Sequence, residues 1–269
     1  MNSHKPLLGM LTRNEQKLKE REDTWKTLDD PNIVAFLCLC HQEPYPVAIV
    51  TPFYANGNAN DYLGKLRAQY QEEEYKAGTA QALIAITVLH ILRGAAHGLD
   101  YLHGKSIVHE AIRGRNVLID DDGSARLVDY DLESALDRNT FTTADFVGPV
   151  RWWAPEILEY QGDDILSNVK TDVFAFSMLC IELITGSPPF KHQRNAASVV
   201  VEIIRKGRPR KPRNSPIADK MWPILQRGWA HEPSERPEMS LQRRWGADLS
   251  NRPDNSELQV CEWLDAIEL

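Results

Sequence analysis

The chain has 269 residues, of which 42% are hydrophobic and 26% charged, and its formal net charge is −7. This length is enough for one large domain or for two lobes that share a core, and the composition is ordinary for a globular protein. The acidic balance disfavours non-specific binding to nucleic acid or to an anionic membrane surface. We therefore expect neither nucleic acid nor membrane as a partner.

The N-terminus and the cysteines bear on the compartment. Residues 1–6 are polar and lack the apolar core of a secretory leader. Cys38 and Cys40 lie in an apolar run, and no Cys/His pair with zinc spacing follows them. We expect buried free thiols in a reducing compartment, which predicts an intracellular, cytoplasmic protein. The longest apolar run, residues 173–184, is too short to span a bilayer.

Apolar periodicity predicts the elements in chain order. We expect a helix over residues 12–28, strands over 33–40 and 46–51, and a long helix over 80–103. An Asp-Gly turn at residues 121–123 predicts a hairpin of the flanking apolar segments, 117–119 and 125–128. Further helices are expected at 169–185, stopped by Gly186, at 195–206 and at 217–229. After residue 239 we expect a loop and then a short amphipathic helix over 257–269.

Several segments stand out as motifs. Residues 109–116 read HEAIRGRN, and Asp129 follows Asn116 by thirteen residues within the segment 129–131, which reads DYD. Three later segments complete the series: RWWAPE at 151–156, TDVFAF at 171–176 and SERPEM at 234–239.

In this order the segments resemble the catalytic loop, the Asp-Phe-Gly motif, the Ala-Pro-Glu motif, the large buried helix and the late Arg-Pro motif of a protein kinase domain. Upstream, DPNIV at 30–34 resembles the link after helix C, and VTPFY at 50–54 resembles the gatekeeper and hinge. The resemblance covers roughly residues 12–239 and is of a tyrosine-kinase-like kind.

The resemblance implies an α+β, protein-kinase-like fold with a truncated β N-lobe and a mainly helical C-lobe. We expect residues 1–269 to form a single domain. Residues 1–53 would be a shortened N-lobe with helix C and the hinge, 54–239 the C-lobe, and 240–269 a divergent C-terminal tail.

The resemblance also implies that the general base is lost. Ala111 stands where the catalytic aspartate of the family should be, and Glu110 stands where the loop arginine should be. A methyl group cannot accept a hydroxyl proton, and Glu110 comes one residue too early to serve as a substitute base. A phosphate on the activation segment would meet this carboxylate rather than a guanidinium. The candidate phosphosites there are Thr140, Thr142 and Thr143.

Other positions match binding residues of the family. Asn116 and Asp129 match its magnesium ligands, although both could instead be retained as hydrogen-bonding residues that hold the loops. The resemblance implies ATP and magnesium as cofactors. The alternative is that the protein binds neither of them. The nucleotide-binding positions would be Thr51, as gatekeeper, with Pro52, Phe53, Tyr54 and Leu118.

A further set of residues matches structural positions. Glu156 with Arg236 matches an ion pair of the family. Asp131 replaces the motif glycine and is expected to stiffen the activation segment. Arg21 falls at the position of the helix C glutamate, between Glu20 and Glu22. The hydrophobic spine and its anchor would be formed by Trp25, Phe36, His109, Tyr130 and Asp172.

About ten residues precede the predicted helix C, and they contain no Gly-x-Gly-x-x-Gly segment. Three strands of about 5–6 residues would need more chain than that. We therefore expect the nucleotide roof and its lysine to be absent, unless the sequence is truncated.

These losses predict a catalytically deficient pseudokinase that regulates or scaffolds protein partners in signalling, with a related active kinase as a candidate partner. The alternatives are a degenerate but active Ser/Thr or Tyr kinase and a non-functional remnant. The basic run at residues 205–213 is most simply a solvated loop, and a docking role is the alternative.

Overall fold

The structure is a computed structural model that describes residues 5–42, 45–72, 77–132, 149–160 and 167–239. The candidate phosphosites Thr140, Thr142 and Thr143 and the tail 240–269 lie outside these ranges.

The N-terminal part combines one helix with one hairpin. Helix α1 spans Lys5–Trp25, and strand β1, Cys38–Gln42, pairs antiparallel with β2, Tyr45–Val50. The predicted helix over 12–28 therefore begins earlier and ends earlier than expected. The strand predicted over 33–40 was also wrong at its start, because residue 33 instead bridges to Leu127, whose carbonyl accepts the Val34 N–H at 2.9 Å.

The C-terminal part is mainly helical, with one further hairpin. Strand β3, Val117–Ile119, pairs antiparallel with β4, Ala125–Leu127, as the Asp-Gly turn predicted. The predicted helices over 80–103, 169–185, 195–206 and 217–229 are confirmed to within a few residues. Two further helices, Ala59–Glu72 and Pro155–Glu159, were not predicted. The helices are α2 Ala59–Glu72, α3 Ala77–Gly104, α4 Pro155–Glu159, α5 Val169–Thr185, α6 Ala196–Ile204 and α7 Pro216–Gly228. The observed class is thus α+β, with few short strands and a mostly helical C-lobe.

Helix α3 is the longest element and runs through the core. Leu92, Leu99 and Leu102 are fully buried on one face. By length and composition the stretch Thr79–Gly104 could cross a membrane, but half of its most apolar part is buried inside the protein, as in a core helix. Its packing is tight, because a Cβ on Gly98 would lie 2.6 Å from the Asn32 carbonyl oxygen.

Helix α5 is buried from Thr171 to Leu183 and has strong signals at both ends. Asn168 and Thr171 form a capping box at its start, which satisfies amide groups that the helix itself leaves unpaired. Gly186 ends the helix in the left-handed conformation, with φ of 64°, where glycine has no Cβ to clash.

The cysteines differ from expectation. Cys38 is exposed, Cys40 is half-buried and Cys180 is buried, and all three are free thiols. The expectation that the Cys38 thiol is buried was wrong, since β1 lies in a hairpin of only two strands and its outward positions meet solvent. Burial raises the pKa of the Cys180 thiol, which keeps it protonated and unreactive.

A buried ion pair fastens the end of the C-lobe. The Arg236 guanidinium donates to both carboxylate oxygens of Glu156, at 2.6 and 2.7 Å, and its side chain is fully buried. It also donates to the Ala230 carbonyl and lies 5.2 Å from the ring centre of Phe174. The bidentate geometry and the extra acceptor compensate for the desolvation of the charge.

Glu156→Gln should destabilise the fold by about 3 kcal/mol, because it leaves the buried Arg236 charge without its counter-ion. Urea unfolding measures this change. Glu22→Gln is the matched control, since Glu22 pairs with the exposed Lys26 just beyond the end of α1, and its loss should change stability far less than the loss of Glu156. Equal effects of the two substitutions would contradict the assignment.

Candidate functional site

The first fixed point of the site is Asp172, in the first turn of α5. Its carboxylate is buried and accepts the backbone N–H groups of His109, at 2.8 Å, and of Glu110, at 2.9 Å. A carboxylate oxygen also lies 2.9 Å from Nε2 of His103. Two of these contacts anchor residues 109–110 on α5, and the third joins the end of α3 to the same carboxylate.

These contacts hold the backbone in a costly conformation. Glu110 has φ of 70°, in the left-handed region, which costs a side-chain-bearing residue roughly 1–2 kcal/mol. The charge-assisted bonds from the two successive N–H groups to Asp172 offset this cost. The backbone at position 110 is therefore fixed by Asp172.

The second fixed point is Glu182, near the other end of α5. One carboxylate oxygen accepts from the Asn60 side-chain amide at 2.8 Å, and the other accepts from the Gly114 N–H at 2.9 Å and from Nε1 of Trp152 at 3.0 Å. Burial raises the pKa of Glu182, and these hydrogen bonds oppose the rise. Glu182 therefore joins α2, the loop 109–116 and the segment before α4.

Gly114 is required at its place because the loop passes very close to α2. A Cβ at this position would overlap the side-chain amide of Asn60, which is held by Glu182. Glycine thus lets the loop approach both residues at once.

Ala111 lies half-buried between these two anchors. Its carbonyl accepts a hydrogen bond from the Asn116 side-chain amide at 2.9 Å, and its N–H donates weakly to Nδ1 of His109 at 3.4 Å. The loop therefore has a fixed shape, and a methyl group stands at the position predicted for the base.

Asn116 and Asp129 come together at the open end of the β3–β4 hairpin. The Val128 N–H donates to the Asn116 carbonyl at 3.1 Å, so one predicted metal ligand directly precedes β3 and the other lies two residues after β4 at the same end of the hairpin. Asp129 is exposed and has φ of 61°, whereas Asn116 is buried.

Asn116 and Asp129 alone supply too few ligands for magnesium, so further oxygen ligands would have to come from phosphate or water. Within the part of the chain that the structure describes, no cluster of three or more acidic, histidine or cysteine side chains could hold a metal by itself. Magnesium often binds through one or two carboxylates plus phosphate oxygens and water. Asp129, with Asn116 beside it, suits an ion that brings its own phosphate ligands.

Asp131 is engaged elsewhere. Its Oδ2 accepts from Nε of Arg21 at 2.9 Å, and both side chains are about three-quarters buried, with exposed fractions of 24% for Arg21 and 23% for Asp131. Arg21 lies on α1, at the position predicted for the helix C glutamate. The two substitutions singled out in the sequence therefore face each other and form an ion pair between α1 and the segment after β4.

The predicted nucleotide residues occupy different surroundings. Thr51 and Asp129 line one small cavity of about 30 Å³, together with Trp25 and Phe36. Such a volume corresponds to one or two water molecules. Phe53 is 92% exposed, and Tyr54 lies 5.9 Å below the Arg126 guanidinium. Pro52, which precedes Phe53, is half-buried, and Leu118 lies in β3 and is bridged to Asn58.

Four of the five predicted spine residues have rings, and these form two contacting pairs. Trp25 and Phe36 have ring centres 5.6 Å apart, and His109 and Tyr130 meet edge to face at 6.3 Å. The Tyr130 hydroxyl donates to the Val34 carbonyl at 3.2 Å, and burial raises the pKa of Tyr130 to about 12.

The sequence reasoning missed Glu182 and Asn60. Glu182 was seen only as an interruption of the apolar run 173–184. An acidic side chain inside an otherwise apolar buried helix was itself the available signal, since a buried carboxylate needs hydrogen-bond donors.

A family model of protein tyrosine and serine/threonine kinases matches residues 8–244. The chain belongs to the protein kinase family. This agrees with the motif order and with the α+β fold.

Individual relatives support the same assignment. The chain is 28% identical over 210 residues to serine/threonine-protein kinase STY46 of Arabidopsis thaliana, covering 78% of this chain and 33% of the relative. It is 29% identical over 226 residues to the tyrosine-protein kinase transforming protein Abl of Abelson murine leukemia virus, covering 83% and 27%. With the serine/threonine/tyrosine-protein kinase HT1 of Arabidopsis thaliana the identity is 27% over 226 residues, covering 84% and 53%. The chain thus spans between about a quarter and a half of the length of these relatives.

The Arg21–Asp131 pair should show a coupling free energy of about 0.5–1 kcal/mol in a double-mutant cycle of Arg21→Gln and Asp131→Asn. Urea unfolding of the four proteins measures it, and about 1 M salt should weaken it. The exposed pair of Glu22, on α1, and Lys26, just beyond its end, is the reference. A coupling of zero would show that the two side chains do not stabilise each other.

His109 should make stability depend on pH. Its side chain is fully buried, its Nε2 has no hydrogen-bond partner among the described residues, and burial lowers its pKa. Below the ordinary histidine pKa of about 6.5 the unfolded chain gains a proton that the folded protein resists, so stability falls as pH drops. We expect His109→Phe to reduce the loss of melting temperature between about pH 7.5 and pH 5.5.

His90→Gln is the control for this measurement, because His90 is exposed on α3. The raised pKa of Glu182 acts in the opposite direction, but it does so in all three proteins and cancels in the comparison. The same loss in the wild type and in both variants would refute the role of His109.

Proposed function

We propose that this kinase domain is catalytically deficient and acts as a regulatory or scaffolding module in intracellular signalling. The observation that carries the proposal is Ala111, at the position of the general base, in a loop whose shape is otherwise held by Asp172 and Glu182. Because the rest of the loop is held in place, we infer that the absent carboxylate removes the general base from a protein that still folds.

The size of this loss supports the proposal. General-base catalysis typically contributes about 10²–10⁴-fold to a rate. Glu110 does not replace the base by position, since its own N–H is fixed on Asp172 and its backbone is left-handed.

The Arg21–Asp131 pair is a second support. In an active site of this family, a carboxylate on helix C is expected to hold a lysine that grips the nucleotide phosphates. Here a guanidinium occupies that helical position, and its partner is Asp131. The pair is thus suited to fixing α1 against the segment after β4 rather than to gripping phosphate.

A degenerate but active kinase is the second candidate, and Asp129 favours it. An exposed carboxylate beside Asn116 suits a magnesium ion bound to ATP. Under this alternative, ATP and magnesium would bind along Asp129, Asn116 and the hinge residues.

The proposed partners are proteins, with a related active kinase as one candidate. A kinase-like fold whose surfaces survive the loss of its chemistry can still present binding sites. The free thiols of Cys38 and Cys180 support a reducing, intracellular setting.

Phosphate transfer decides between the two candidates. The purified chain is incubated with labelled ATP, magnesium and peptides that contain serine, threonine and tyrosine, beside Asp129→Ala. We expect the wild type to incorporate no more phosphate than Asp129→Ala, because neither protein has a group that can take the hydroxyl proton.

Incorporation that disappears in Asp129→Ala would overturn the proposal in favour of an active kinase. Thermal unfolding of the same samples with and without magnesium-ATP reports nucleotide binding separately from turnover. Ala111→Asp completes the set, since a gain in this variant would assign the deficiency to the missing base alone.

A further inference from the structure

The basic run at residues 205–213 divides into two groups in the structure. Arg208 points inward, where its guanidinium donates to the Trp229 carbonyl at 2.8 Å and lies 5.2 Å from the Phe174 ring centre. Burial lowers the pKa of Arg208 to about 10. Lys211 pairs with Asp219 at 2.8 Å. These two cations therefore stabilise the C-lobe and are not available to a ligand.

Arg205 and Arg210 form the second group. Both are exposed, and neither side chain has an ion pair or hydrogen bond with any residue that the structure describes. Both line an open groove of about 660 Å³ beside α6. Gln193, Ser198 and Val201 contribute further lining, and we call this concavity the basic groove.

One acidic side chain, Glu202, lines the basic groove and is held by neighbouring side chains. Glu202 accepts from Nε2 of Gln193 at 2.6 Å and lies 2.9 Å from Nε2 of His192. Its carboxylate is thus occupied on the side of residues 192–193, while Arg205 and Arg210 remain without counter-ions. The net field in the groove favours an anionic ligand.

The size and the apolar content of the groove favour a peptide. Val201 is 46% exposed, and Ala197, one helical turn before it, also lines the groove, so the lining has an apolar part between its polar and charged side chains. Helix α6 has nine residues and is about 13 Å long, which an extended segment of about four residues can follow. Long polyanions such as nucleic acid are disfavoured, because the chain carries a net charge of −7.

We propose that the basic groove binds a short, carboxylate-rich segment of a partner protein. Acidic side chains of the segment would pair with Arg205 and Arg210, and one apolar side chain would pack on Val201. This inference rests on the proposed role as a binding module and adds the chemistry of the partner.

The test uses the full chain and a fluorescein-labelled peptide, Gly-Glu-Glu-Leu-Glu-Glu-Gly, with binding followed by fluorescence polarisation. The matched probe carries glutamine in place of each glutamate. The groove variant is Arg205→Gln with Arg210→Gln. The control variant is Lys19→Gln with Lys65→Gln, which removes the same charge from exposed positions on α1 and α2.

We expect the acidic peptide to bind at least about tenfold more tightly than the glutamine peptide, and the groove variant to lose about tenfold in affinity. The control variant should bind within about twofold of the wild type. Val201→Ser should weaken binding without changing its dependence on salt. Equal melting temperatures show that each variant is folded.

Equal binding of the two peptides, or unchanged binding by the groove variant, would overturn the inference. A second overturning result would come from neutralising Glu257, Glu262, Asp265 and Glu268 in the full chain. If that variant bound the peptide about tenfold more tightly, the chain's own acidic segment would be the occupant. A failure of the proposed function can be told apart from a failure of this inference. Asp129-dependent phosphate transfer would refute the proposed catalytic deficiency, but it would leave peptide binding unchanged.

Discussion

Two buried carboxylates on one helix set the geometry on which the site depends. Asp172 and Glu182 lie ten residues apart on α5, which is about 15 Å along the helix axis. Neither can be buried without donors, and the loop 109–116 supplies backbone N–H groups to both. The loop is thereby fixed at two points on the most deeply buried element of the C-lobe.

This way of fixing the loop explains how Ala111 can depart from the family pattern while the loop keeps its shape. The anchoring groups are the N–H groups of His109, Glu110 and Gly114 and the carbonyl of Ala111, all of them main-chain atoms. The side chain at position 111 can therefore change with little effect on the loop's shape. Gly114 is the exception, because the closeness of Asn60 leaves no space for a Cβ.

The Arg21–Asp131 pair shows a different kind of adjustment. Each residue by itself departs from the family pattern and brings a charge into partly buried surroundings. Together they form an ion pair at 2.9 Å between α1 and the segment that follows β4. Two changes that are separated by more than a hundred residues are thus one change in space, and the same pairing removes Asp131 from the ligands available to a metal.

The sequence by itself determined the family resemblance, the long apolar helices and the Asp-Gly hairpin, because these depend on local spacing and turn chemistry. It also identified Ala111 and Glu110 as departures, since the motif order fixes their positions. Only the tertiary structure showed the partners of Arg21, Glu182 and Arg208. Their contacts join segments far apart in the chain, and hydrophobic periodicity carries no information about which distant groups meet. The exposure of Cys38 was also decided by the tertiary structure. An apolar run suggests that both faces of a strand are buried, but a two-stranded hairpin leaves one face uncovered.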